Sequence, residues 1–120
     1  MLINLSNHPY SQWSEEQREE ALQFGECVDL PFPVVNPEGD SEYIADLVAK
    51  YLKKIEKVAV SFDNLTVHLM GEMTFTYALL ELLKDHKVRC VASTTLREST
   101  ELGNGQKEST FRFVQFRDYF

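Results

Sequence analysis

The chain has 120 residues, 43% of them apolar, and a formal net charge of -7. That length gives one core with little room for a second module, so residues 1–120 read as a single domain, and the apolar share excludes a disordered chain. The acidic balance excludes a broad DNA-binding face, because phosphate neutralisation dominates such affinity, but a small phosphorylated ligand needs only one local cluster of donors.

No apolar run approaches the roughly 20 residues of a bilayer span, and Met1 leads into the polar stretch Ser6 to Gln12 instead of a signal-peptide core. A cytoplasmic chain with no membrane partner is the expectation. Leu2 to Leu5 reads as the first strand, apolar apart from Asn4. Ser14 with Gln17 makes a capping box, and Trp13, Gln17, Ala21 and Phe24 share a stripe, predicting a helix of about three turns before Gly25. Cys27 to Leu30 is the second strand, stopped by Pro31 and Pro33, with loop to Asp40. Ile44, Leu47, Val48, Tyr51, Leu52 and Ile55 then trace one face of a second helix capped by Asp40 or Ser41.

Val58 to Phe62 reads either as a short edge strand or as a linker. Leu65 to Met70 is strongly apolar and strand-like. From Thr74 a third helix carries Phe75, Ala78, Leu79, Leu82 and Leu83 on one face and ends near Lys84 to Lys87, where cations suit the helix dipole. Val88 to Ala92 is the fourth strand. The tail reads as a hairpin, Thr95 to Leu102 with Lys107 to Phe116, turned through Gly103-Asn104-Gly105, which tolerate positive φ. Strict alternation puts Phe111 and Phe113 on one face of the last strand and Val114 and Phe116 on the other, so that both faces would be covered.

Alternating strands and helices predict an α/β, Rossmann-like three-layer fold: a mainly parallel sheet with an antiparallel C-terminal hairpin strand. In such sheets ligands bind outside the carboxyl ends of the strands. Clusters of polar side chains follow the first, third and fourth strands: Ser6-Asn7-His8, Gly71 to Thr76, and Ser93-Thr94-Thr95-Leu96-Arg97. If these are neighbours, the strand order is 2-1-3-4-5, with the switch point beside the first strand.

Each cluster has a chemical reading and a plain one. Gly71 allows close backbone approach, and Thr74 and Thr76 stand where the third helix begins, a place that favours an anion; equally, Thr74 caps the helix and Gly71 makes a turn. Glu72 either binds a ribose hydroxyl, acts as a base or is simply solvated. Ser93, Thr94 and Thr95 offer hydroxyls to phosphate oxygens and Arg97 a bidentate fork, unless Arg97 pairs with Glu98 or Glu108. His8 is either a general acid or base, with Ser6 and Asn7 beside it, or a residue that orders its loop. His68 and His86 read as structural or solvated. Cys27 and Cys90 lack CxxC spacing and read as buried free thiols, so no metal site and no cofactor is expected.

The stretch from Val67 to Tyr119 resembles the small stand-alone CRISPR-associated proteins of the Rossmann-like CARF type, the group that contains candidate ring nucleases. The likeness is carried by the strand ending in Gly71-Glu72, by Val88 to Ala92 running into Thr94-Thr95-Leu96-Arg97, by the glycine-turn hairpin and by the closing Phe116-Arg117-Asp118-Tyr119. The resemblance implies a cyclic oligoadenylate ligand, a homodimer around that ring, and in some members metal-independent cleavage by a ribose 2′-hydroxyl. Thr94, Thr95, Arg97 and His8 are then the groups available to the reaction, with Ser6, Asn7, Gly71, Glu72, Thr74, Thr76 and Ser93 as ligand contacts. The alternatives are a non-catalytic sponge or sensor with the same pocket, and an unrelated small nucleotide-binding domain.

Overall fold

Leu2–Ser6 forms strand β1, buried along its whole length, at the interior of a five-stranded sheet. The structure is a computed structural model and describes residues 1–120. Its other strands are β2 (Cys27–Asp29), β3 (Thr66–Met70), β4 (Arg89–Gly103) and β5 (Gln106–Asp118), in the order β2-β1-β3-β4-β5. The first four are parallel and β5 runs antiparallel to β4. This is the order inferred from the polar clusters.

Helices α1 (Glu15–Ala21), α2 (Ser41–Ala59) and α3 (Met73–Asp85) make the outer layers. Alternate strand residues divide between them: Ile3, Leu5, Val67, Leu69 and Cys90 join α2 and α3 in the larger core, whereas Leu2 and Val91 pack with Trp13, Ala21 and Phe24 on the α1 side. The α2 stripe faces inward as its spacing predicts, with Val48, Tyr51 and Ile55 buried, and the Asp40 carboxylate accepts from the Tyr43 amide at 2.9 Å. Ser14 caps α1 through the Gln17 amide, but the expected three-turn helix is divided into α1 and a 3-10 turn, Leu22–Phe24, and a second 3-10 turn, Tyr10–Gln12, precedes the cap. Val58 and Ala59 complete α2, so the edge-strand alternative for Val58 to Phe62 is ruled out.

Two expectations about the tail change. The expected fourth strand and the hairpin arm from Thr95 to Leu102 are not separate: Ser93 and Thr94 join them, so that Ser93 to Arg97 is the interior of one strand, β4, held extended by β5 as far as the Asn104-Gly105 turn, where both residues have positive φ. The alternation of β5 is broken as well. Thr95 pairs with Phe113 and Thr94 with Gln115, so Val114 is an extra, unpaired residue, a β-bulge. It brings Phe116 to the side of Phe113, with ring centroids 5.0 Å apart, and leaves Val114 on the exposed side. One face of the strand, not both, carries the aromatic rings.

Ile55 is wholly inaccessible in the larger core. Ile55→Ala should lower the unfolding free energy by roughly 2 to 5 kcal/mol in urea denaturation, as large-to-small changes in a packed core do. A loss under about 0.5 kcal/mol would place this face of α2 outside the core.

Candidate functional site

Beyond the carboxyl ends of β1 and β3, and beside Ser93 and Thr95 within β4, lies an open cleft of about 630 Å³. Ser6, Asn7, His8, Gly71, Ser93 and Thr95 line it, as do several groups that pattern reasoning left aside: Gln12, Trp13, Ser14, Gln17, His68, Met70, Phe111 and Phe113. No aspartate, glutamate, lysine or arginine is among its lining residues. Its floor is polar and neutral, and one wall is aromatic.

Ser6, His68 and Ser93 on the floor belong to a row of hydrogen-bonded side chains that crosses the sheet from strand to strand and continues behind the cleft to Asn4 and Asp29. Register sets Asp29 of β2 beside Asn4 of β1, and Asn4 beside His68 of β3. The Asn4 amide nitrogen donates to an Asp29 carboxylate oxygen at 2.8 Å and to the His8 carbonyl at 2.9 Å. Its oxygen accepts from Ser6 Oγ at 2.8 Å and meets His68 Nδ1 at 2.9 Å. His68 Nε2 then lies 3.2 Å from Ser93 Oγ on β4. His68 is 2% exposed, edge-on to Trp13 and Phe116, and burial pulls its pKa down to about 4. It is therefore neutral at pH 7. Chain position alone suggested a structural histidine; the sign that it belongs to the site is the polar Asn4 facing it across two apolar strands.

The loop after β1 is fixed by its backbone. The His8 carbonyl also accepts from Trp13 Nε1, and the His8 amide donates to Ser6 Oγ at 3.3 Å, so the loop-ordering role falls to the main chain, and the His8 ring stays exposed at the cleft rim. Gly71 makes the close approach its residue type allows, but toward the chain itself: a Cβ there would come within 2.2 Å of the Phe32 ring.

The remaining predicted contacts are not in the cleft lining. Glu72 is the N-cap of α3, its carboxylate accepting from the Thr74 and Phe75 amides and the Thr74 hydroxyl. Those bonds, the Phe75 amide foremost, lower its pKa. The α3 N-terminus thus already holds an anion, the chain's own, in place of the external one expected there. Thr76 is buried within α3, its hydroxyl without a partner. Thr94 donates to the Gln115 carbonyl across the hairpin. Arg97 lies farther along the β4 face that carries Thr95, opposite the cleft-lining Phe111, and donates to Ser109 Oγ at 3.2 Å. The closing Arg117-Asp118-Tyr119 element has a structural task. Asp118 pairs with Arg89 at 2.7 Å, and the Tyr119 hydroxyl donates to the Leu69 carbonyl, which ties the chain end to β3. Cys27 and Cys90 are free thiols, the latter buried, and no group of three metal-ligating side chains converges.

Together these features define a Rossmann-like α/β domain with a neutral polar cleft at the sheet's switch point. The chain belongs to the family described as the uncharacterized protein MJ1673 family, whose model matches residues 1–117. Neither the curated proteins nor the solved structures include a match to it.

Burial of neutral His68 links stability to pH. Its pKa is near 6.5 when unfolded and about 4 when folded, so below pH 6.5 the unfolded chain binds the extra proton. Stability should be full above that value and decline as pH falls toward 4, by roughly 3 kcal/mol from this group. Thermal unfolding between pH 7 and 4.5 checks this. In His68→Gln the decline should be shallower, and an unchanged slope would mean that other groups carry it.

Proposed function

We propose that this domain binds a cyclic oligoadenylate in the cleft and cleaves it without a metal ion. The observation that carries the reading is the lining itself: hydroxyl, amide and imidazole groups on the floor, Phe111 and Phe113 on the wall, and no charged side chain. Aromatic faces stack bases whatever their sequence. Neutral donors and acceptors match ribose hydroxyls and base edges, where a carboxylate would repel the phosphodiesters. Ser6, Asn7, Ser93 and Thr95 supply the polar contacts. His8, exposed at the rim, is the proton donor to the leaving oxygen, and Arg97 on the arm is the cation available to a ring that extends beyond the cleft.

A homodimer fits the shape of the chain. Its accessible surface is 8093 Å², against roughly 6,700 Å² for a compact monomer of this size. The surplus of about 1,400 Å² exceeds the ~800 Å² that each partner buries in a standard interface. Leu96, Leu102 and Phe111 on the β4–β5 arm are all more than half exposed. A two-stranded ribbon left alone in water is marginally stable.

The same neutral lining favours a second reading, a binder that does not cleave, because no cation lines the cleft to meet the charge that builds on phosphorus. Incubation with a panel of cyclic oligoadenylates, with and without chelator, followed by chromatography, separates the two. Linear products with 2′,3′-cyclic phosphate ends, unaffected by chelator, are expected. Rings recovered intact from the bound state would make the protein a sponge or sensor, and failure to retain any ring would remove the proposal. Phe113→Ala should weaken ring binding by roughly 1 to 3 kcal/mol, the range of one base–aromatic stack, measured by calorimetry.

A further inference from the structure

The hydrogen-bond order of the polar row has a chemical direction. Both partners of the Asn4 amide nitrogen, the Asp29 carboxylate and the His8 carbonyl, are acceptors only, so the orientation of that amide is fixed. Its oxygen therefore faces His68 Nδ1, and an amide oxygen only accepts, so Nδ1 carries the imidazole proton. In a neutral ring Nε2 is then bare and accepts from the Ser93 hydroxyl. The Met70 sulfur, 3.1 Å from Ser93 Oγ, is the weaker acceptor of the two. Ser93 consequently turns its proton inward to His68 and its lone pairs outward. His68 is buried, whereas Ser93 is half-buried and lines the cleft.

The geometry points to Ser93 as the group that receives a proton from the ligand, with His68, oriented by Asn4, as the base behind it. This rests on the cyclic-oligoadenylate reading for the identity of the donor, a ribose 2′-hydroxyl. That hydroxyl gives its proton to Ser93 Oγ while Ser93 gives its own to His68 Nε2. The 2′-oxygen bonds to the adjacent phosphorus and the bond from phosphorus to the 5′-oxygen breaks, the leaving oxygen taking a proton at the rim, where His8 stands. His68 then returns its proton to solvent through Ser93, so protons balance over the cycle. Nucleophile, base and orienting amide in sequence are the arrangement that proton abstraction requires. Here the serine is a conduit, since the attacking oxygen belongs to the ligand.

Two measurements test this. In long-range nitrogen–proton correlation spectra of the full chain at pH 7, His68 should be protonated at Nδ1 and bare at Nε2. A proton on Nε2 would overturn the hydrogen-bond order whatever the ligand. In single-turnover assays with the ring that wild type cleaves fastest, Ser93→Ala should be slowed roughly 100-fold or more, with ring affinity within a few-fold. Ser93→Thr, which restores the hydroxyl, should recover much of the rate. His68→Gln, which accepts from Ser93 but takes up no proton, should bind the ring and be slowed like Ser93→Ala. Turnover by Ser93→Ala close to that of wild type overturns the relay and leaves the ligand proposal standing. A wild-type protein that binds no ring overturns the ligand proposal and the 2′-hydroxyl assignment with it, while the spectra still report on the His68 tautomer.

Discussion

Asn4 sits in the interior strand of the sheet, almost wholly removed from water, and its amide must satisfy two donor and two acceptor positions there. All of them are used. Asp29 and the His8 carbonyl take the donors, Ser6 and His68 the acceptor oxygen. An unpaired amide at this depth would cost several kcal/mol, so the loop after β1 folds back to bring its carbonyl over the sheet, and Trp13 is drawn in through the same carbonyl. The short β2 strand is fixed from the same point, because the Asp29 carboxylate also accepts from the Tyr10 amide.

The bulge at Val114 acts on the far side of the cleft. Without the extra residue, Phe116 would point away from His68 and Trp13, and the α1 side of the sheet would lose the ring that closes its small core. With it, Phe113 and Phe116 lie together, one on the cleft wall and the other behind it. Bulges commonly re-aim side chains beside binding sites. The cleft is thus bounded by a polar row that hydrogen-bond satisfaction makes rigid and an aromatic wall that one inserted residue creates.

The electrostatics of the cleft are as informative as its shape. On a chain of net charge -7, the carboxylates stay out of the lining, and Glu72, next to the lining residue Gly71, is committed to the α3 N-terminus. A cleft so arranged selects through hydrogen-bond direction and stacking more than through net charge. That suits a ligand read by its sugar and base edges.

The sequence alone carried the periodicities. The α2 stripe, the strand-helix alternation, the Asn104-Gly105 turn and the polar ends of β1 and β3 follow from local spacing, and they sufficed for the layer architecture and the strand order. Local spacing also brought Ser6, Asn7, His8 and Gly71 together, since residues at strand ends converge wherever parallel strands adjoin, and Ser93 and Thr95 join them where β4 runs on past the end of its pairing with β3. It could not show that the fourth strand and the hairpin arm are one continuous strand, because that continuity is imposed by the partner β5, nor the bulge, which is a difference in count between two strands and invisible in either one. The destination of Glu72 was likewise undecided until its carboxylate was seen on the α3 amides. His68 marks the deepest limit: in sequence it is a lone histidine in an apolar run, and only register, which sets it opposite Asn4 and within reach of Ser93, turns it into part of a site. Contacts across strands depend on pairing between distant segments, and pairing is decided by the packing of the whole sheet.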